Sequence, residues 1–214
     1  MYEKVIKRSF DIVISSLSLI LLSWLFLLIM LVIVADDPGP VFFRQKRVGK
    51  NGKYFSLFKF RTMRTDAPHD TPTHLLTDPE KHITRVGRFL RKSSLDELPQ
   101  LINIFTGKMS LIGPRPALWN QYDLLEEREK YGANSLRPGL TGWAQINGRD
   151  EISNVEKAKL DGEYAEKIRK GGFTAFGFDV KCFIGTIFSV AKAEGVREGK
   201  RDSRPEEADR RENE

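Results

Sequence analysis

The sequence predicts an α+β protein, mainly helical, in which an N-terminal membrane helix, a small β-hairpin and several amphipathic helices form one compact domain. Three observations lead there. An apolar run extends from Phe10 to Val34, an Asn-Gly pair separates two strand-like stretches, and apolar residues recur at helical spacing through much of the remainder.

The apolar run is broken only by Asp11 and four serines, Ser15, Ser16, Ser18 and Ser23. As a helix of ~25 residues it reaches roughly 37 Å, enough for a hydrocarbon core of about 30 Å. It is too long for a signal peptide, and Asp36-Asp37-Pro38-Gly39-Pro40 offers no small-x-small cleavage site, so it is expected to persist. Lys4, Lys7 and Arg8 precede it, while Arg44, Lys46, Arg47 and Lys50 follow. Positive charge on both flanks leaves two topologies open: an ordinary span, or a helix that enters, bends and returns. A sharp bend usually needs proline, which favours the span, although a serine hydroxyl such as that of Ser23 can also bend a helix.

Downstream, VFFRQKRV, a Lys-Asn-Gly-Lys turn and YFSLFKF read as a hairpin over 41–60, because Asn and Gly both tolerate positive φ. Thr65 to His82 is rich in Pro, Asp, Thr and His and reads as a loop. A helix carrying Val86, Phe89 and Leu90 leads to Ser94 and Glu97, which have capping-box spacing before Leu98, Leu101, Ile102 and Phe105. Gly113-Pro114-Arg115-Pro116 and Arg137-Pro138-Gly139-Leu140-Thr141-Gly142 are rigid non-helical loops. Helices are predicted over 119–131 and 153–170. A third, over 179–194, has Val180, Phe183, Ile184, Ile187, Phe188 and Ala191 on one face. That face suits either the core, the simpler expectation, or a membrane surface. The chain divides into a membrane segment (1–37), a domain (38–196) and a charged, disordered tail (197–214).

The formal net charge of +6 fits an anionic partner: phospholipid, nucleotide or nucleic acid. Cys182 is the only cysteine, which excludes an intrachain disulfide and suits a reducing compartment. There is no Walker A loop, no Gly-x-Gly-x-x-Gly and no serine-hydrolase elbow, and His69, His74 and His82 with Cys182 have no zinc spacing.

Candidate chemistry centres on Asp96 and Glu97. Adjacent carboxylates can bind Mg²⁺ and supply a nucleophile, but two acids in a first helical turn also simply complement the helix dipole. Their surroundings give them weight. Lys59, Arg61 and Arg64 lie just past the hairpin, and Arg88 and Arg91 precede the acids. Arg115, Arg137 and Arg149 sit in or beside Gly/Pro-rich loops. An arginine fixed between prolines is ordered before a ligand arrives, which suits bidentate binding of phosphate. For Lys59 and Arg61 a membrane-surface role is the competing reading.

Taken in order, the segments resemble the bacterial sugar transferase family, the small monotopic polyprenyl-phosphate phosphoglycosyl transferases. The matching stretches begin with Lys7-Arg8-Ser9-Phe10-Asp11 and its apolar segment, then Pro38-Gly39-Pro40-Val41-Phe42 and Phe58-Lys59-Phe60-Arg61-Thr62-Met63. Ser94 to Leu101, Met109 to Pro116, Arg137 to Gly142 and Gln145-Ile146-Asn147-Gly148-Arg149 follow, so the resemblance covers nearly all of 5–195. It implies transfer of a sugar 1-phosphate from a UDP-sugar to a polyprenyl (undecaprenyl) phosphate, with release of UMP and a requirement for Mg²⁺. This would be the first membrane step of capsule, exopolysaccharide, O-antigen or glycoprotein glycan assembly. Asp96 matches the family's nucleophile, which carries a covalent phosphosugar, and Glu97 its metal-binding partner. Lys59, Arg61, Arg91, Arg115, Arg137, Gln145 and Arg149 would hold substrate or phosphate.

The resemblance also implies a re-entrant helix at the cytoplasmic face of the bacterial inner membrane, with Asp11 and Arg8 at the interface and a homodimer among the possible states. Where the family has Ser-Pro, this chain has Ser23-Trp24, so Ser23 is the expected bend. Similarity of the stretch from Pro116 to Glu129 to capsule-type members points towards an N-acetylated amino sugar. Two alternatives stand beside this reading: direct attack by the lipid phosphate in a ternary complex, and a non-catalytic membrane-tethered basic adaptor. The adaptor explains the charge and the anchor, but a carboxylate pair among arginines weakens polyanion binding, which also argues against nucleic acid.

Overall fold

The computed structural model describes residues 1–67, 79–148 and 152–191. A π-helical turn, Tyr2–Ile6, runs into α1 (Lys7–Leu21), and α2 (Ser23–Asp36) follows. Strands β1 (Phe42–Val48) and β2 (Tyr54–Phe60) precede α3 (Pro79–His82), α4 (Arg85–Lys92) and α5 (Gln100–Phe105). Then come β3 (Ser110–Ile112), α6 (Tyr122–Lys130), β4 (Gly139–Thr141), α7 (Trp143–Ile146), α8 (Asn154–Lys170) and α9 (Gly172–Ala191). The mainly helical α+β class is as predicted. The expected tail, His69, His74 and Arg149 lie outside the described residues.

The apolar run is two helices bent by 60°. No single helix among the described residues is long and apolar enough to cross a membrane, whereas the bent pair passes together. The break falls at Leu22 (φ −94, ψ 6), one residue before the expected Ser23, which instead opens α2. Both ends of the pair are tied to the same body. At the start, the buried Asp179 carboxylate accepts from Tyr2 Oη (2.6 Å), Lys7 Nζ (2.7 Å) and Tyr164 Oη (2.7 Å). Arg8 donates to the carbonyls of Ile104 and Phe105 (both 2.7 Å), filling acceptors that the end of α5 leaves open. Asp11 is buried and accepts from Ser110 Oγ (3.0 Å) and Leu111 N–H (2.9 Å). Arg8 and Asp11 thus each satisfy polar groups of the domain. At the other end Asp36 accepts from Val86 N–H (3.0 Å), and Asp37 from Thr65 N–H (3.1 Å). Between these ties the outward side chains, among them Leu17, Ile20, Trp24, Leu27 and Leu31, are exposed.

The hairpin forms in the predicted place, pairing Phe42 with Phe60 through Val48 with Tyr54. Asn51 (φ 55) and Gly52 (φ 72) take the positive φ that the turn demands. Phe60 stacks on Phe42 and meets Phe26 edge-on, which seats the hairpin on α2. Within the second predicted loop, Gly139–Thr141 forms β4 and pairs in parallel with β3, the strand just before the first loop; the approach needs glycine, because a Cβ on Gly139 would lie 2.1 Å from the Gly113 nitrogen.

Two local expectations fail. Ser94 caps nothing; it is left-handed (φ 56, ψ 16), and residues 95–97 form a separate 3₁₀ turn, with α5 starting only after Pro99. The real capping box is Ser153–Glu156, at the start of α8. The apolar face of α9 is not core. Phe183, Ile184, Ile187 and Phe188 are exposed, while the side with Ala175, Asp179 and Cys182 is buried. Small residues face inward because the approach is close: a Cβ on Gly185 would fall 2.6 Å from Ile146 Cδ1.

Replacing Lys7 with Met leaves the buried Asp179 carboxylate with hydroxyl partners alone. It is expected to lower stability by about 3 kcal/mol in denaturant unfolding in detergent, with K7M/D179N recovering most of the loss. An unshifted unfolding midpoint in K7M would contradict an anchoring role for the pair.

Candidate active site

The 3₁₀ turn separates the two acids. With about three residues per turn, successive side chains point roughly 120° apart, so Asp96 is buried and Glu97 half-buried. Lys59, at the end of β2, reaches both: its Nζ lies 2.7 Å from Glu97 Oε1 and 3.6 Å from Asp96 Oδ2. Asn103 on α5 holds that strand in place, accepting from Phe58 N–H (2.9 Å) and donating to Ser56 O (2.8 Å). Arg115 approaches from the Pro-Arg-Pro loop, with Nη2 3.7 Å from Glu97 Oε1. Arg91, in the last turn of α4, donates to Thr62 Oγ1 (2.8 Å) and adds attraction at Asp96.

Burial pushes the Asp96 carboxyl above the usual carboxylate range, and the Glu97 charge pushes the same way, against Lys59 and Arg91. A carboxylate kept short of water in this way is a better nucleophile than a solvated one, because less hydration must be shed on attack.

Lys59, Arg91 and Arg115 therefore gather around Asp96 and Glu97 as expected. Arg61 does not. It is buried, donates to Asp37 O and has Nη1 3.3 Å from Asp37 Oδ2, so it fastens the end of α2 to the hairpin. Arg137 donates to Gly107 O (3.2 Å), on the side facing Arg8. Gln145 lines the cleft next to Glu97, but its Nε2 donates to Leu140 O (3.0 Å) and its Oε1 is buried, so it braces the β4 turn. Arg149 lies outside the described residues.

Sequence reasoning missed Arg47. Its Nη1 donates to Pro116 O (2.9 Å), and its Nε and Nη2 both hold Gln45 Oε1. Burial, with Arg115 nearby, pushes its guanidinium down to about 10, against the pull of Glu97. Val48 N–H also bonds Ala117 O (3.0 Å), so the hairpin splints the loop that carries Arg115. A strand arginine beside a turn carries no signal of such a partner.

Beside Glu97 and Arg115 opens a cleft of about 290 Å³, walled by α5, β3, β4, α7 and α9. Among the described residues no group of three or more His, Cys, Asp or Glu side chains could hold a metal ion. Asp96 and Glu97 supply two hard oxygen donors, which fits Mg²⁺ of the kind completed by substrate phosphates and water rather than caged by protein.

The sequence pattern of the bacterial sugar transferases matches residues 2–193. The chain belongs to the bacterial sugar transferase family. It is 40% identical over 194 residues to the Bacillus subtilis uncharacterized sugar transferase EpsL, covering 91% of each chain. To the Escherichia coli UDP-glucose:undecaprenyl-phosphate glucose-1-phosphate transferase it is 42% identical over 191 residues, 87% of this chain but 40% of that one. To the Rhizobium meliloti exopolysaccharide production protein ExoY it is 39% identical over 174 residues, 75% of this chain and 76% of that one.

Because the folded carboxyl of Asp96 titrates above its unfolded value, its ionised form costs stability at neutral pH. Asp96→Asn is expected to melt higher than the parent at pH 7. The gap should close as pH falls through the raised pKa; a lower melting temperature at pH 7 would contradict this. Arg47→Met is expected to weaken turnover about tenfold or more through loss of Arg115 placement, with Arg47→Lys restoring little, since Lys cannot make the fork.

Proposed function

We propose that the protein transfers a sugar 1-phosphate from a UDP-sugar to a polyprenyl phosphate, releasing UMP, at the cytoplasmic face of a bacterial plasma membrane. The observation that carries the reading is the buried Asp96 beside Glu97, held under Lys59 and Arg115 in a chain of this family. An Asp96 oxygen attacks the sugar-bearing phosphorus, and the bond from that phosphorus to the bridging oxygen breaks as UMP leaves. A phosphate oxygen of the lipid then attacks the same phosphorus. The Asp96 carboxylate departs, leaving a diphosphate-linked lipid and the enzyme as it began.

Lys59 and Arg115 counter the charge of carboxylate and phosphates meeting. Glu97, with Asp96, would hold Mg²⁺, which when bound shields the phosphate oxygens. Two steps on one carboxylate let the same small phosphate site serve donor and acceptor in turn. Relatives named for glucose make UDP-glucose the first donor to try, with UDP-N-acetylated amino sugars beside it.

A re-entrant helix pair fits the same reading. Both ends of the bend bond to one domain, and the apolar residues between them, with the outer face of α9, make an exposed surface that suits lipid. Cysteines placed at Lys4 and Ser203, in a C182S background, should then react with an impermeant maleimide from the same face. Labelling from opposite faces would restore an ordinary span.

UMP formation from UDP-sugar, Mg²⁺ and polyprenyl phosphate is the direct assay. Asp96→Asn is expected to lower it by at least about 10³-fold, and Glu97→Gln comparably. Turnover in Asp96→Asn close to that of the parent would sink the nucleophile assignment.

A further inference from the structure

We infer that the cleft beside Glu97 and Arg115 seats the first isoprene units of the lipid acceptor, delivered past α9. The inference rests on the proposed reaction and adds where its lipid substrate enters.

The cleft's walls are mainly hydrocarbon: Leu98, Leu101, Leu111, Leu140, Ile146 and Phe183. Three of its polar side chains, Thr141, Thr186 and Gln145, are bonded within the fold. Thr186 Oγ1 donates to Cys182 O (2.8 Å) and meets Thr141 Oγ1 (2.7 Å), while Gln145 spends its Nε2 on Leu140 O and keeps Oε1 out of reach of solvent. A nucleoside diphosphate sugar brings many hydroxyls and a base edge, and these walls leave few groups to receive them. An amphiphile with an anionic head and a hydrocarbon body fits better. Its phosphate would meet Arg115, the cation lining the cleft, which lies 3.7 Å from Glu97, the neighbour of Asp96 in sequence.

Continuity points the same way. Phe183 lines the cleft and is 55% exposed, and it continues onto Ile184, Ile187 and Phe188 on the outer face of α9. A prenyl chain leaving the cleft there stays on an apolar surface. The Thr141–Thr186 contact holds α9 against β4 and so sets the width of the passage. The donor would then approach the carboxylates from the Lys59 and Arg91 side, and the two substrates would share only the position of the transferred phosphate.

Two measurements test this. A short prenyl phosphate bearing a diazirine on its first isoprene unit, photolysed with the wild-type protein in detergent, should label peptides from α9, α7 or β4. Labelling confined to α2 or α4 would overturn the inference. This readout needs binding alone, so label on α9 in a protein that never forms UMP would keep the site and reject the reaction. Secondly, Thr186→Trp, which narrows the cleft, should raise KM for the polyprenyl phosphate about tenfold and leave KM for the UDP-sugar within about twofold. A rise in the donor KM with the acceptor KM unchanged would assign the cleft to the nucleotide sugar instead.

Discussion

Two carboxylates on consecutive residues, one of them buried, are held in place by a single lysine. The charge of Glu97 and burial both add to the cost of keeping Asp96 ionised. Lys59 lies within 3.6 Å of one and 2.7 Å of the other, and much of the fold positions it. The Asn51-Gly52 turn sets the register of β2, Phe60 packs its far end on α2, and Asn103 fastens it to α5. Arg115 adds a second cation from a loop that cannot rearrange freely, since Gly113 and Gly139 touch and Arg47 holds Pro116.

The N-terminal helices join this frame rather than hanging from it. Asp11 bonds Ser110 and Leu111, and β3 leads within a few residues to Arg115. Arg8 closes the end of α5, whose start follows the carboxylate turn. The bent helix pair and the Asp96–Glu97 turn are thus tied into one hydrogen-bonded frame, so the orientation of one constrains the other. An enzyme that joins a water-soluble donor to a lipid acceptor needs such a link, because its reacting atoms must meet at a fixed depth.

Much of this was legible in the sequence where the signal is local. Asn-Gly gives the hairpin because few residues accept positive φ, and the segment with Arg115 between Pro114 and Pro116 reads correctly as a non-helical loop. The acid pair and its nearest cations were also readable, since motif order narrows which residues can converge. What was not legible depends on distant partners. The contacts of Arg61 with Asp37 and of Arg137 Nε with the Gly107 carbonyl, which place both arginines away from the acid pair, carry no sequence signal. The donors that β3 supplies to Asp11 lie about a hundred residues away and have no local signal either. The face of α9 followed helical periodicity faithfully, but periodicity marks an apolar side without saying whether protein or lipid covers it. Ser94 had the spacing of a cap and instead turns left-handed, which no spacing rule encodes.

The central claim is that Asp96 itself, poised by Lys59 and Glu97, carries the phosphosugar between substrates. Intact-mass measurement of the protein after brief incubation with UDP-sugar and Mg²⁺, without any lipid acceptor, tests it most directly. The account predicts a mass gain equal to one sugar phosphate, mapped to the peptide containing Asp96 and absent from Asp96→Asn. An unmodified protein in a preparation that nevertheless turns over when polyprenyl phosphate is added would contradict it and favour direct attack by the lipid phosphate.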